Sequence, residues 1–242
     1  MDQSSVLKKL VKRGLDQLQH VQVAGARLLG LIDFPVPPNS SMRKTSSRSI
    51  RHYYRSGIRT TLPIATCARR ERVALDGDIR ILDFGCGVGR QLLHFTRHFP
   101  KPAYFACDID DTSIRFIRKH YPQVTAVQSA FHPPLEYPDG FFDMVYSVSI
   151  FSHLSLEDHG PWLDELARVT RPGGTCFLTF EGETALRSLA PVFGRDPERL
   201  IEELRERGAL YKEYSYLKKS VQTQNTLRTA SHLVGVTGSY GN

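Results

Sequence analysis

Two acids and three glycines stand at spacings that suit a nucleotide-derived ligand. Asp83 precedes Gly85 by two residues, Gly87 and Gly89 follow at intervals of two, and Asp108 comes 23 residues after Gly85. Glycine reaches positive φ at no steric cost and lets backbone approach a ligand; a helix opening near Arg90 would add unsatisfied N–H groups at its positive end. A carboxylate at the end of the next strand, here Asp108, can accept from both vicinal hydroxyls of a ribose. A dinucleotide loop, Gly-x-Gly-x-x-Gly, places its third glycine inside the helix. Position 90 is Arg instead, and Gly89 comes one residue early, so the spacing is that of an Asp-x-Gly-x-Gly-x-Gly loop.

These residues need strands that end together. Apolar runs over 79–84, 104–108, 124–128, 141–147 and 175–180 predict five strands, and the glycine loop and Asp108 fall at the ends of the first two. Asp111 reads as a helix cap ahead of Ile114, Ile117 and His120, with Asp110 a competitor of Asp108 for the ribose. Ser155-x-x-Asp158 is a capping box, Trp162, Leu163, Leu166 and Val169 form one helical face, and Arg171-Pro-Gly-Gly closes it. Strands alternating with helices imply an α/β, Rossmann-like, doubly wound and mostly parallel sheet with helices on both faces and ligands beyond the carboxyl ends of the strands.

The run FPVPPNS, YYRSGIRT, ILDFGCGVGR, ACDID, PPLEYPDGFFDMVYSVSIFSHL and WLDELARVTRPGG, over roughly residues 34 to 183, resembles the class I S-adenosylmethionine-dependent methyltransferases, in particular bacterial-type members of carbohydrate and natural-product pathways. The resemblance implies S-adenosylmethionine as cofactor, with Gly85, Cys86 and Gly87 against its methionine moiety and Asp108 on its ribose. It also implies Ile109 beside the adenine, and Ser147 and Val148 flanking the methyl donor. Where many relatives carry an Asp or Asn for the adenine amino group, this chain reads Val127-Gln-Ser-Ala-Phe131, which leaves Gln128 or Ser129, with the backbone of Ala130 and Phe131, to do this work. Arg90 is expected either to meet the methionine carboxylate or to pair with Asp83.

Methyl transfer from a sulfonium is an in-line displacement, so the protein mainly aligns the acceptor and needs a base only when the acceptor must lose a proton. His153, after the fourth strand, is the candidate base, with a loop-bonding role as its alternative; His132 and Glu181 are weaker candidates. His94, His98 and His120 read as surface or capping residues. The function expected is methyl transfer to a small-molecule or glycan-type acceptor. The alternatives are an inactive or truncated cofactor-binding module with an interaction role and, against the missing glycine at 90, an NAD(P) oxidoreductase.

A chain of 242 residues with 40% hydrophobic content suits one catalytic domain. No run reaches the roughly 18 apolar residues of a spanning helix and the N-terminus lacks a secretory pattern, so a cytoplasmic protein is expected. Its four cysteines have no metal-ligand spacing, and no metal is expected. Residues 1–60 hold 11 Lys or Arg against 3 Asp or Glu, whereas 61–242 hold 21 against 22, so the net charge of +7 belongs to an N-terminal arm. In that arm Leu7, Leu10, Val11, Leu15 and Leu18 recur at helical spacing among lysines, which suits packing on the core or a membrane-surface or protein contact. Few aromatics argue against nucleic acid. The expected divisions are a basic helical arm and linker over 1–60, a core over 61–182 with a helix over 49–66 leading into it, and an extension over 183–242. That extension predicts helices over 183–189 and 197–207, a strand over 210–217 and a weak strand over 232–236, so the sheet's final hairpin reads as incomplete.

Overall fold

In the computed structural model the described residues are 21–44, 49–180, 183, 187, 195–207, 209–212, 225–228 and 234–236. The amphipathic stretch at 7–18 and Glu181 lie outside them, as does the helix expected over 183–189 except for Glu183 and Arg187. Six strands form one sheet. β1 (Arg80–Phe84), β2 (Ala103–Asp108), β3 (Val124–Gln128), β4 (Phe142–Ser147) and β5 (Thr170–Leu178) run parallel in the order β3-β2-β1-β4-β5, and β8 (Val234–Val236) joins β5 antiparallel. β6 (Ala209–Lys212) and β7 (Asn225–Arg228) pair antiparallel in a separate ribbon. The expected gap at the end of the sheet is thus partly filled: β8 falls within the weak 232–236 signal and hydrogen-bonds the β5 edge that would otherwise stay open.

Seven described helices accompany the strands: α1 (21–28), α2 (Asn39–Lys44), α3 (Ile50–Arg70), α4 (Leu92–His98), α5 (Asp111–His120), α6 (Leu156–Val169) and α7 (Pro197–Arg207). Side chains alternate across each strand, so Ile81 and Leu82 enter different cores. Ile81, Tyr104, Met144 and Tyr146 pack with Tyr53, Ile64, Phe95, Ile114 and Ile117 from α3, α4 and α5; Leu82, Phe84, Cys107 and Val145 pack with Trp162, Leu166 and Val169 from α6. The division expected at residue 60 falls inside α3, and Phe34, Met42 and Tyr53 are buried with the sheet, so the segment from Phe34 is built into the core.

Local chemistry explains the boundaries nearest the site. Ser49 caps α3 by accepting from His52 N at 3.1 Å. Ser155 caps α6 by accepting from Asp158 N at 3.1 Å, and its hydroxyl donates to the Asp158 carboxylate, so the expected pair meets through side chains. At its other end α6 passes at Thr170 directly into β5, a strand that begins earlier than apolar content alone suggests because Thr170 already pairs with Phe142 across an irregularity in register. Arg168 clamps the preceding loop to α6, donating to Leu135 O at 3.2 Å, Tyr137 O at 3.0 Å and Glu165 Oε1 at 2.7 Å, while Leu135 N donates to Glu165 Oε1 at 2.6 Å. Among the described residues no helix is long and apolar enough to cross a membrane.

Trp162, the chain's one tryptophan, is 2% exposed and rests on Phe84 with ring centroids 4.7 Å apart. Trp162→Ala should therefore cost about 3 to 5 kcal/mol. Its indole N–H has no hydrogen-bond partner among the described residues, so Trp162→Phe should cost clearly less. Urea unfolding followed by circular dichroism, since the variants lack tryptophan fluorescence, checks the order; equal losses would contradict the packing account.

Candidate active site

The turn after β1 is held by the end of β2. Gly85 N and Cys86 N both donate to Cys107 O, at 2.9 and 3.0 Å, and Gly89 N closes the turn on Cys86 O at 3.0 Å. Gly85 has φ +75°, and a Cβ there would lie 2.2 Å from the Ile150 side chain, so both conformation and space require glycine. Gly89 has φ +77°, and a Cβ would lie 2.7 Å from Ile117 Cδ1. This third glycine therefore serves the approach of α5 to the loop, and the early spacing is a packing requirement. The helix beyond starts at Leu92, two residues later than expected.

Asp108, at the last position of β2, has its carboxylate oriented by the loop it faces. Gly87 N donates to Oδ2 at 2.7 Å and Asp110 N to Oδ1 at 2.8 Å. Asp110, not Asp111, occupies the N-cap of α5; its Oδ2 accepts from Ser113 Oγ at 2.7 Å. The expected capping role of Asp111 is corrected accordingly: Asp111 is already helical and pairs with Arg115 at 2.6 Å.

A cavity of about 290 Å³ lies over these groups. Of the residues singled out from sequence, it brings together Gly85, Cys86, Gly87, Arg90, Asp108, Val148 and His153. Asp83, Ile109, Gln128, Ser129, Ala130 and Ser147 are not in its lining. Asp83 is buried one residue before β1 ends, and Ile109 is 40% exposed. Gln128 is exposed and donates from Nε2 to Ile109 O at 3.0 Å, and Ser129 N donates to Asp108 O at 3.0 Å, so the end of β3 is tied to the Asp108–Ile109 turn.

Asp110, read from the sequence as a competitor of Asp108 for the ribose, also lines it, and Ser41, Val88, Gln91, Ser113, Ser149 and Ile150 complete the lining without a sequence signal for it. For Ser149 no sequence signal existed: a non-glycine residue at φ +62°, it is held there by Ser149 N donating to Thr179 Oγ1 at 2.7 Å across the ends of β4 and β5. Backbone strain of this kind persists only where surrounding contacts over-determine it, and here it presents Ile150 to Gly85.

The electrostatics centre on Asp83. It is 2% exposed, and burial pushes its carboxyl up to about 8, with the Asp108 charge adding to the rise and the Tyr146 hydroxyl and Arg90 opposing it. Asp83 Oδ2 and Ser147 Oγ are buried without hydrogen-bond partners among the described residues. Arg90 is largely desolvated, which lowers its pKa, while Tyr53 and Asp83 favour its charge. Asp83 and Arg90 thus act on one another through low-dielectric surroundings.

His153 lines the cavity with an exposed side chain, and its backbone N–H donates to Ile150 O at 2.8 Å. His132 instead pairs through Nδ1 with Asp158 Oδ1 at 3.1 Å and belongs to the start of α6. His94 is corrected from a surface residue to a buried one: it lies 1% exposed, its Nε2 is 3.0 Å from Tyr54 O, and burial pulls its pKa to about 4. Among the described residues no group of three or more His, Cys, Asp or Glu could hold a metal ion.

The methyltransferase domain family matches residues 81–174, the stretch from β1 into β5 that carries the glycine loop, Asp108 and the loop after β4. Malonyl-[acyl-carrier protein] O-methyltransferase of Herminiimonas arsenicoxydans is 31% identical over 114 residues, 47% of this chain and 42% of that protein. Trans-aconitate 2-methyltransferase of Azoarcus sp. (strain BH72) is 29% identical over 103 residues, 43% of this chain and 39% of that protein. The chain thus matches about two fifths of the length of these curated relatives. The crystal structure of an S-adenosylmethionine-dependent methyltransferase from Mesorhizobium loti superimposes with a TM-score of 0.49 at 20% identity, over 68% of this chain and 73% of that one. Residues 81–174 thus match a methyltransferase domain, and the chain is similar there to S-adenosylmethionine-dependent methyltransferases.

Proposed function

We propose that this protein transfers the methyl group of S-adenosylmethionine to a small-molecule acceptor, with an oxygen nucleophile the first class to test and glycan-type acceptors included. The observation that carries the reading is the convergence in one cavity of the Gly85–Gly87 backbone, the Asp108 carboxylate, Arg90 and the loop bearing Val148, Ile150 and His153. The O-methyltransferase among the relatives favours an oxygen acceptor.

The residues present fit the cofactor. Asp108 accepts a backbone N–H on each oxygen, which fixes its carboxylate facing the glycine loop, where it suits the ribose hydroxyls. Arg90 suits the methionine carboxylate. Asp83, buried with an unpartnered oxygen, suits the methionine amino group, whose charge would hold the carboxyl ionised. Exposed Ile109 offers an apolar face for adenine; Gln128, whose Nε2 is engaged with Ile109 O, directs its carbonyl to the amino group, with Ser129 and Ala130 beside it. Bound there, S-adenosylmethionine supplies an activated methyl carbon. Ser147 and Val148 flank it, Ile150 limits water, and His153 takes the acceptor's proton on an imidazole nitrogen.

Calorimetric titration with S-adenosylhomocysteine, followed by a screen of labelled methyl donor against small-molecule extracts, tests the reading. Binding together with a labelled product is expected. Binding without turnover on any acceptor would leave a cofactor-binding module, and nicotinamide dinucleotide binding in its place would overturn the cofactor. Asp108→Asn should weaken S-adenosylhomocysteine about 10- to 100-fold, the range for losing a charged acceptor.

Asp83 generates a pH prediction. Its folded pKa of about 8 lies above its ordinary 3.8, so the folded state holds a proton that the unfolded state has released. Its contribution therefore falls as pH rises between these values, by up to about 1.4 kcal/mol per pH unit. His94, lowered from 6.5 to about 4, acts oppositely below about pH 6.5, which leaves pH 6.5 to 8 as the informative window. The ligand-free protein should lose stability across that window relative to Asp83→Asn; parallel profiles in urea would reject the raised pKa.

A further inference from the structure

The N-terminal end of the described chain carries two features that the cofactor site does not use. The first is apolar and exposed. Val21, Leu28, Leu29 and Leu31 expose 73%, 90%, 75% and 73% of their surfaces, whereas elsewhere among the described residues only Leu62 and Ile109 are large exposed hydrophobics. They are presented by a firm helix end: Leu31 N donates to Ala26 O at 2.8 Å and Gly30 N to Arg27 O at 2.9 Å, with Gly30 at φ +68°. This is the paired closure that satisfies the last carbonyls of α1.

The second feature is cationic and concave. At helical periodicity Val21 and Leu28 share one flank of α1, and Val23 and Arg27 lie on the other. That other flank walls a cavity of about 500 Å³ completed by Val36, Arg115, Phe116 and Lys119. Arg115 is balanced by Asp111 at 2.6 Å, and Arg27 donates to Phe34 O at 3.1 Å. Lys119 forms no ion pair among the described residues, and the pKa of neighbouring His120 is lowered by burial first and then by the charges of Lys119 and Arg27. The cavity therefore holds an excess of positive charge beside apolar walls, which selects an anion attached to an apolar body.

The geometry points to an anionic membrane surface as the occupant of this end of the protein, with Val21, Leu28, Leu29 and Leu31 in the acyl boundary and a lipid phosphate between Arg27 and Lys119. A helix about 10 Å across, sunk about 5 to 10 Å by its apolar flank, keeps its opposite flank at headgroup level. Charge favours the same partner, since residues 1–60 hold 11 Lys or Arg against 3 Asp or Glu. The inference does not depend on methyl transfer.

Cosedimentation of the full chain with vesicles of phosphatidylcholine alone, and of phosphatidylcholine with phosphatidylglycerol, tests it. Binding to the anionic vesicles only is expected, weakened about fivefold by Lys119→Gln and at least as much by Leu28→Ser with Leu29→Ser, while S-adenosylhomocysteine affinity, which reports the fold and the cofactor site separately, stays unchanged. Equal binding to neutral vesicles, or binding unaffected by both variants, would overturn the proposal. So would displacement by inorganic phosphate at constant ionic strength, which would assign the cavity to a soluble anion. Absence of vesicle binding alongside self-association lost in the leucine variant would assign the apolar flank to a protein partner, and equally overturn it.

Discussion

The site depends on the parallel pairing of β1 with β2, because that register places two acceptors under one glycine turn. Phe84 pairs with Cys107, so the Cys107 carbonyl meets the N–H groups of Gly85 and Cys86, and the next residue, Asp108, meets Gly87 N. A one-residue slip would turn every β2 side chain to the other face and remove both attachments. The core enforces the register: Ala106 and Cys107 are fully buried in different cores, so a slip would exchange closely packed side chains between them.

With the loop fixed, charge is the next constraint. Two carboxylates and one guanidinium act on one another around the buried Asp83, and the fold resolves the repulsion unequally. Asp108, half-buried, accepts from two backbone donors, whereas Asp83, buried with one unpartnered oxygen, is driven toward its protonated form. Such an imbalance is a standing demand for a cation, and a ligand that meets it recovers desolvation energy already spent in folding. Gly85 and Ile150 set the shape of the cavity while these charges set its polarity.

The parallel sheet was legible because its signal is local: apolar runs of strand length, acids and glycines at their ends, and a capping box before α6. Gly85, Gly87, Asp108 and Arg90 could be placed near one another because strand ends in such a sheet converge. What escaped depends on contacts distant in sequence. Ser149 is left-handed only because Thr179 lies beside it, Ser41 lines the cavity only because the segment from Phe34 folds back onto the sheet, and His94 is buried because α3 and α4 pack together. The choice between Asp110 and Asp111 as the cap of α5 was a shift of one residue, the level at which helix starts are least specified by sequence. β8 was barely visible because three residues carry little periodicity.

A crystal structure of the complex with S-adenosylhomocysteine tests the central claim most directly. The account predicts both ribose hydroxyls within about 3.2 Å of the Asp108 carboxylate, with the Gly87 N to Asp108 bond retained and the homocysteine portion lying between Gly85 and Arg90. A ligand bound elsewhere, or one whose ribose makes no contact with Asp108 while the loop keeps its conformation, would contradict it.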